Sequence, residues 1–279
     1  MKLPKLFDIH SHIHFAAYDN DREEVLSRAH EAGVWMINVG TERNTSQSAV
    51  LLAEKFEEGI YATVGIHPTH TGGATYHDTN ELRKEEFSPE SFSWNKDFYK
   101  NLARNKKVVA IGECGLDYFR LEKNTKERQE EAFIEHIYLA NEVEKPLMLH
   151  IRPSKDTSDA YEDAYTILRE HSKVKGNLHF FVGSLPIAKK FWSMGFPTSF
   201  TGVITFTSSY DEIIRQAPEE LIMSETDCPY VTPLPHRGKR NEPAYLPYIV
   251  KKMASLRNAH FEAFSEKLVS NARDFFLLQ

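Results

Sequence analysis

Cysteine is scarce in this sequence, which has only two, Cys114 and Cys228, among 279 residues. They make neither a disulfide framework nor a Cys-x-x-Cys zinc pattern. Each directly follows an acidic residue of interest below, Glu113 or Asp227. We interpret both as small buried side chains beside a site, with an accessory soft metal ligand or a redox role as the alternative.

Long hydrophobic runs are also missing. No stretch approaches the roughly 18 apolar residues that a membrane span needs, and residues 1–5 lack the apolar segment of a signal peptide. With 41% hydrophobic and 27% charged residues, the composition is that of an ordinary globular protein. The sequence therefore predicts a cytoplasmic protein without membrane contact.

Positive charge is not in excess, since the formal net charge is -6 at pH 7. This balance argues against a broad electrostatic track along nucleic acid. Local contact with a phosphate end remains open, because bound metal ions would reverse the sign of a site.

Strand and helix patterns alternate along the whole chain. Short apolar runs, typical of buried parallel strands, occur at residues 4–9, 34–39, 60–66, 107–112, 146–151, 177–182, 198–204 and 221–226. Helical spacing occurs between and after them, at 21–32, 44–58, 125–144, 159–172, 184–195, 209–217, 243–257 and 260–277. Eight such units predict an α/β fold, a single (β/α)8 TIM barrel domain over residues 1–279. An open doubly wound sheet is the rival.

One connection is much longer than the others. Residues 69–105, between the third and fourth strands, include glycines, a Ser-Pro pair and an aromatic cluster. A connection of this length usually carries a function, such as a lid or a substrate wall. A decorated surface helix is the alternative.

Histidines and acidic residues recur at, or directly after, the predicted strands. The set consists of His10, His12, Glu113, His150, His179 and Asp227. In a (β/α)8 barrel the C-terminal ends of all strands face one mouth, where the chemistry takes place. Convergence of six metal-competent side chains there predicts a two-metal hydrolase.

The first motif is Asp8-Ile9-His10-Ser11-His12. Residues two apart in an extended chain share a face, so His10 and His12 can reach one metal ion together. Asp8 is expected to orient one imidazole from behind. His14 repeats the spacing, and we interpret it as a flanking residue.

The second motif is Gly112-Glu113-Cys114-Gly115-Leu116-Asp117. A glutamate directly after an apolar strand needs a partner when buried, and bridging two cations is one solution. The glycines allow a tight turn and close approach of the backbone. Asp117 lies further out, and we interpret it as structural.

Further groups predict contacts to substrate. His150 and Arg152 share a face of one strand, so Arg152 can bind a phosphate oxygen. His67 closes the third strand. The basic loop after the last strand contains His236 and Arg237, which we interpret as a phosphate clamp, with a solvated loop as the alternative.

Taken together, these motifs resemble the TatD family of metal-dependent hydrolases. The resemblance runs from residue 6 to the C-terminus and is weakest in 69–105. The matching motifs are Asp8-x-His10-x-His12, Val64-Gly65-Ile66-His67-Pro68, Ile111-Gly112-Glu113-Cys114-Gly115-Leu116-Asp117-Tyr118, Arg128-Gln129, His150-Ile151-Arg152, Leu178-His179-Phe180-Phe181, Glu225-Thr226-Asp227-Cys228-Pro229-Tyr230 and Pro235-His236-Arg237-Gly238-Lys239.

The resemblance implies a TIM-barrel deoxyribonuclease, often a 3′ exonuclease, that uses two divalent ions. It places His10, His12 and Asp227 on one ion, His150 and His179 on the second, and Glu113 between them. Asp227 is then the candidate for orienting or deprotonating the attacking water. The expected substrate is DNA, single-stranded or at a 3′ end.

Three departures from the family pattern concern shape and substrate preference rather than ligands. They are His14-Phe15, Phe180 and Pro153. Imidazoles favour Zn, Mn, Co or Ni, and activity with Mg is also expected. An ester or amide hydrolase on the same site, such as an aminoacyl-tRNA deacylase, and a non-enzymatic binding barrel are the alternatives.

Overall fold

The computed structural model describes residues 4–71, 78–83, 93–121 and 125–278. Eight parallel strands form one sheet in the order β1 to β8, so each strand pairs with its neighbour in sequence. The strands are β1 (Leu6–Ser11), β2 (Val34–Val39), β3 (Ile60–Val64), β4 (Val108–Asp117), β5 (Leu147–Arg152), β6 (Gly176–His179), β7 (Thr198–Phe200) and β8 (Ile222–Ser224).

Helices follow the strands on the outside of the sheet. They are α1 (Arg22–Glu31), α2 (Arg43–Glu54), α3 (Lys96–Ala103), α4 (Lys126–Val143), α5 (Asp159–His171), α6 (Leu185–Ser193), α7 (Asp211–Gln216), α8 (Leu246–Leu256) and α9 (Phe261–Phe275). The fold is the TIM barrel that the alternation of patterns predicted, and the open doubly wound sheet is excluded.

The barrel is nearly closed by contacts between β1 and the chain after β8. The Thr226 backbone N–H and hydroxyl donate to the Asp8 carboxylate at 2.9 and 2.5 Å. The Asp227 N–H donates to the His10 carbonyl at 2.9 Å, and Ser11 forms a parallel bridge with Cys228. The chain around Asp227 is thereby fixed beside the histidines of β1.

Side chains of the strands alternate between two cores. Those pointing outward pack beneath the helices, as Leu6 and Met36 do. Those pointing inward, such as Phe7, Ile37 and Met148, fill the barrel, and Phe276 packs into the same cluster just after α9. This period of two follows from strand geometry. The filled interior leaves the C-terminal mouth as the place for a site.

The strand ends differ from the sequence prediction. β4 continues to Asp117, five residues beyond the predicted end, so Glu113 lies within the strand. Gly112 and Gly115 permit this, because a Cβ there would lie 2.4 Å from the Met148 carbonyl oxygen and 2.1 Å from that of His150. β6, β7 and β8 end earlier than predicted, and Gly202–Thr205 forms a 3-10 turn instead of a strand end.

The long connection between β3 and β4 is described in part. It contains a 3-10 turn at Pro68–His70 and helix α3, while residues 72–77 and 84–92, with the predicted Gly72-Gly73 and Ser88-Pro89, lie outside the described residues. Within the described part of the chain, no helix is both long and apolar enough to cross a membrane.

Candidate metal-binding active site

Strand β1 brings two histidines to one point. His10 is its fifth residue and His12 follows its end. Their Nε2 atoms lie 3.1 Å apart. Nδ1 of His12 lies 2.7 Å from the Val39 carbonyl oxygen and must donate to it, which assigns the proton to Nδ1 and leaves the Nε2 lone pair available to a cation.

Glu113 lies between two groups of imidazoles. Its Oε2 is 3.4 Å from Nε2 of His10. Its Oε1 is 3.2 Å from Nε2 of His179 and 3.0 Å from Nδ1 of His150. The same Oε1 is 3.5 Å from Nε2 of His67. One carboxylate oxygen therefore faces β1 and the other faces the opposite group of histidines.

Asp227 completes the group on the β1 side. Its Oδ1 lies 3.5 Å from Nε2 of His12 and 3.7 Å from Nε2 of His10. Its backbone is left-handed, with φ of 55°. The structure thus brings together the three residues that the family resemblance assigned to one ion.

Two carboxylates orient the histidines on the other side. His150 and His179 are register partners in β5 and β6. Nε2 of His150 lies 3.0 Å from Oδ2 of Asp117, and Nδ1 of His179 lies 3.3 Å from Oε1 of Glu225. In each histidine the other ring nitrogen faces Glu113, as in carboxylate–histidine–metal arrangements.

Ligand atoms within 4.8 Å of one another form three groups among the described residues. They are His10 with His179 and Asp227, His10 with His12 and Glu113, and His67 with Glu113 and His150. His150 is thus grouped with His67 rather than with His179. His67, which the sequence indicated as a substrate contact, is a further candidate ligand.

The donor set fits divalent cations. In a tetrahedral site with ligand atoms about 2.1 Å from the ion, neighbouring ligand atoms lie roughly 3.4 Å apart. The separations around Glu113 are close to this value, between 3.0 and 3.5 Å.

The electrostatics of the site also favour cations. Burial by itself would raise the pKa of Glu113, yet His67, His10 and His179 together hold it well below its ordinary value. Burial would lower the pKa of His179, but the carboxylates of Glu225 and Glu113 raise it well above its ordinary value. The carboxylates of Glu113 and Glu225 thus favour protonated imidazoles around them. A bound divalent ion would supply this positive charge in place of the protons.

These residues open into a cavity of about 340 Å³, a volume within the range of ligand-binding sites. Its lining includes seven predicted site residues: His12, His67, Glu113, His150, Arg152, His179 and Asp227. The long β3–β4 connection contributes His70, Asp78 and Glu81 to the wall; its role as a substrate wall stays a prediction.

The predicted phosphate clamp is not part of this lining. The His236 ring stacks on Tyr245 with centroids 4.0 Å apart, and the Arg237 guanidinium lies 3.8 Å from the centre of the Phe206 ring. Both side chains thus pack against aromatic rings and are not among the residues that line the cavity described here. These ring contacts were not expected from the sequence, although Tyr245 lies in the same connection after β8 as His236; Phe206 comes from the connection after β7.

Two further interpretations need correction. Among the described residues Asp8 contacts no imidazole ring; its carboxylate accepts from the His10 backbone N–H at 3.3 Å and from Thr226. Asp117 is not a remote structural residue, because the continuation of β4 carries it into the cavity wall beside His150. His14 lies outside the three ligand groups formed by the described residues.

Sequence reasoning gave no role to Glu225 and Arg120. Glu225 is fully buried and accepts from the Phe180 N–H at 2.5 Å and the Ser199 hydroxyl at 2.8 Å. Its position two residues before Asp227, at the end of an apolar strand, was the available signal. Arg120 lines the cavity, and nothing in the local sequence distinguished it from a surface arginine.

Comparisons with known proteins agree with this geometry. A family model described as TatD related DNase matches residues 7–277. The uncharacterized metal-dependent hydrolase YabD of Bacillus subtilis is 37% identical over 276 residues, covering 97% of this chain and 98% of the relative. The 3′-5′ ssDNA/RNA exonuclease TatD of Pantoea ananatis is 32% identical over 279 residues, covering 97% and 99%.

Solved structures show the same fold. The structure of the TatD homolog YjjV from Escherichia coli K12 superposes with a TM-score of 0.82 at 26% identity and covers 100% of both chains. The match to the family model extends over nearly the whole chain and includes all the candidate ligands. The chain belongs to the TatD family of metal-dependent hydrolases.

Proposed function

We propose that this protein is a 3′-5′ exodeoxyribonuclease that hydrolyses phosphodiester bonds of single-stranded DNA with two divalent ions. The observation that carries the proposal is the position of Glu113, whose two oxygens face different groups of histidines. A carboxylate placed in this way can be shared by two ions. When bound, such ions lower the pKa of a water molecule and stabilise negative charge on phosphoryl oxygens.

The side chains of the cavity divide the remaining tasks. His10, His12 and Asp227 would hold one ion, and His150 and His179, with His67 nearby, the other. Asp227 also lines the cavity, so its carboxylate can orient the attacking water and accept its proton. Arg152 and Arg120 lie in the same lining and would bind phosphate oxygens through charged hydrogen bonds.

The shape and charge of the cavity support action at a strand end. Asp78 and Glu81, on the wall formed by the β3–β4 connection, would repel additional phosphates. The net charge of -6 disfavours extensive contact with a duplex. The Pantoea ananatis relative is named as an exonuclease of single-stranded DNA and RNA. We propose the same preference for single strands in this chain.

The test is digestion of 5′-labelled single-stranded DNA with Mg, Mn or Zn, comparing wild type with Glu113→Gln. Glutamine preserves the shape of the side chain and removes its charge. A matched control is Glu212→Gln, since Glu212 lies on the surface of α7, where its carboxylate interacts with Arg215 and Gln216 of the same helix. We expect a ladder that shortens from the 3′ end in wild type and control, and is lost in Glu113→Gln.

Other outcomes point elsewhere. Intact DNA with metal-loaded wild type, together with release of amino acid from charged tRNA, would favour an ester hydrolase of the deacylase type. Internal cuts would mean an endonuclease. We also propose a cytoplasmic location, in line with two free, buried cysteines.

A further inference from the structure

Phe119 lies in the turn directly after β4 and is 53% exposed. A phenylalanine gains stability by burial, and this one leaves more than half of its surface in water. Its neighbour in sequence, Arg120, lines the cavity. This exposed aromatic ring lies beside a mouth that is proposed to take nucleic acid, so its free surface is accessible to a substrate.

Arg152 covers part of this ring. Its guanidinium carbon lies 4.0 Å from the centre of the Phe119 ring, which is cation–π geometry. Arg152 also lines the cavity, and it makes no ion pair with a carboxylate of the described residues. The positive charge is therefore available to a phosphate, and the aromatic ring holds the guanidinium in a defined orientation.

The position of this pair is tied to the candidate metal site. The Tyr118 N–H donates to the Arg152 carbonyl at 2.8 Å, which extends the pairing of β4 with β5. The Arg120 N–H donates to Oδ1 of Asp117 at 2.9 Å, and Oδ2 of the same carboxylate holds His150. One aspartate thus fixes both the turn that carries Phe119 and a candidate ligand.

We propose that Phe119 and Arg152 form a subsite for the nucleotide adjacent to the one released. The base of that nucleotide stacks on the exposed part of Phe119, and its phosphate binds Arg152. The subsite rests on the proposed nuclease function. It recognises single-stranded DNA or RNA, because every unpaired base offers a flat face and a duplex keeps its bases stacked inside.

The test changes protein and substrate together. The substrates are two single-stranded decamers, one normal and one with an abasic residue at the penultimate position from the 3′ end. Since stacking on an aromatic side chain contributes about 1–3 kcal/mol per base, wild type should prefer the normal decamer by about 5- to 150-fold in kcat/KM. Phe119→Ala should lose most of this preference, and Phe119→Trp should keep it.

The matched control is Tyr138→Ala, which removes an aromatic side chain that is 43% exposed on the outer helix α4. It should retain the wild-type preference. The subsite is refuted if Phe119→Ala discriminates against the abasic decamer as strongly as wild type does while cleaving DNA. Because the readout is a ratio between two substrates, a general loss of folded enzyme does not imitate the expected result.

A binding measurement separates this proposal from the nuclease itself. Fluorescence anisotropy of both decamers with Glu113→Gln, with and without Phe119→Ala, measures the preference without turnover. If wild type cleaves DNA and Phe119→Ala leaves the preference between the two decamers unchanged in both assays, the subsite is rejected and the nuclease function is not. Absence of both cleavage and binding of DNA rejects the subsite together with the proposed function.

Discussion

Nε2 of His150 and Oδ2 of Asp117 lie 3.0 Å apart, although the two residues belong to different strands. The contact exists because β4 continues past Glu113 alongside β5, where Gly115 is the register partner of His150. Asp117 is almost fully buried, and its pKa is held below the ordinary value mainly by His150, against the effect of burial. The pair therefore acts as one unit in the site.

Asp117→Asn should weaken metal binding more than it slows the saturated enzyme. Asparagine can still accept one hydrogen bond but no longer makes His150 a stronger base, and loss of such partners typically costs about 10- to 100-fold in metal affinity. Titration of metal-free protein with Mn or Zn by calorimetry measures the affinity. Activity should recover at high metal concentration; a variant that stays inactive there, with unchanged affinity, would assign Asp117 to the chemistry instead.

Removal of divalent ions should destabilise wild type and leave Glu113→Gln nearly unaffected. Ligands that bind only the folded state stabilise it by about 2.7 kcal/mol at one hundred times Kd, or roughly 5 °C in Tm for a chain of this size. Thermal unfolding with excess Mn and after chelation measures the difference. Equal shifts in wild type and Glu113→Gln would place the tightest ion away from Glu113.

Gly115→Ala should be severely destabilising. A Cβ at this position would lie 2.1 Å from the His150 carbonyl oxygen, and φ is +136°. We expect a loss of about 4 kcal/mol in the free energy of unfolding, measured in urea. Gly238→Ala is the control for backbone strain alone, since φ is +86° and no atom of the described residues lies within 4 Å of the added carbon; about 1 kcal/mol is expected there.

His136 should make stability fall in acid. Its Nε2 accepts the Ile66 N–H at 2.9 Å and its Nδ1 donates to the Ala132 carbonyl at 2.6 Å, so the folded state needs the neutral ring. Burial lowers its pKa from 6.5 to about 4. The unfolded chain takes up the proton first, so the stabilisation present above pH 6.5 is lost as pH falls toward 4.

The size of this loss is on the order of 3 kcal/mol for a pKa change from 6.5 to about 4. Urea unfolding at pH 7 and pH 4 measures it, with His136→Gln as the reference, since glutamine can accept the Ile66 N–H without titrating. The other titrating groups change the free energy of unfolding equally in both proteins, so their contribution cancels when the two pH profiles are compared. Parallel pH profiles would contradict the assignment.

Much of the barrel was predictable because each strand carries its own local signal. Apolar runs such as 34–39 and 60–66, separated by helical spacing, correspond to β2 and β3 within two residues. The end of β4 was not predictable, because its continuation to Asp117 depends on pairing with β5. Local sequence cannot show that Gly112 and Gly115 allow two backbones to approach this closely.

The six candidate ligands were predicted from residue type and position at strand ends, and the fold brings them together at one mouth with Glu113 between the histidines. Partners across the barrel were not found in this way. Glu225 reaches His179 from a different strand, and His67 joins Glu113 through the turn after β3. His236 and Arg237 form a basic motif in sequence, yet they pack against Tyr245 and Phe206 and are not among the residues that line the cavity.

The sequence by itself determined the architecture and the residue types of the site, since periodicity and strand-end chemistry are local properties of the chain. Only the tertiary structure decided which oxygen of Glu113 faces which histidine and which carboxylate orients each imidazole. It also decided that Phe119 remains exposed beneath Arg152. These relations depend on distances between strands far apart in sequence, which closure of the barrel sets.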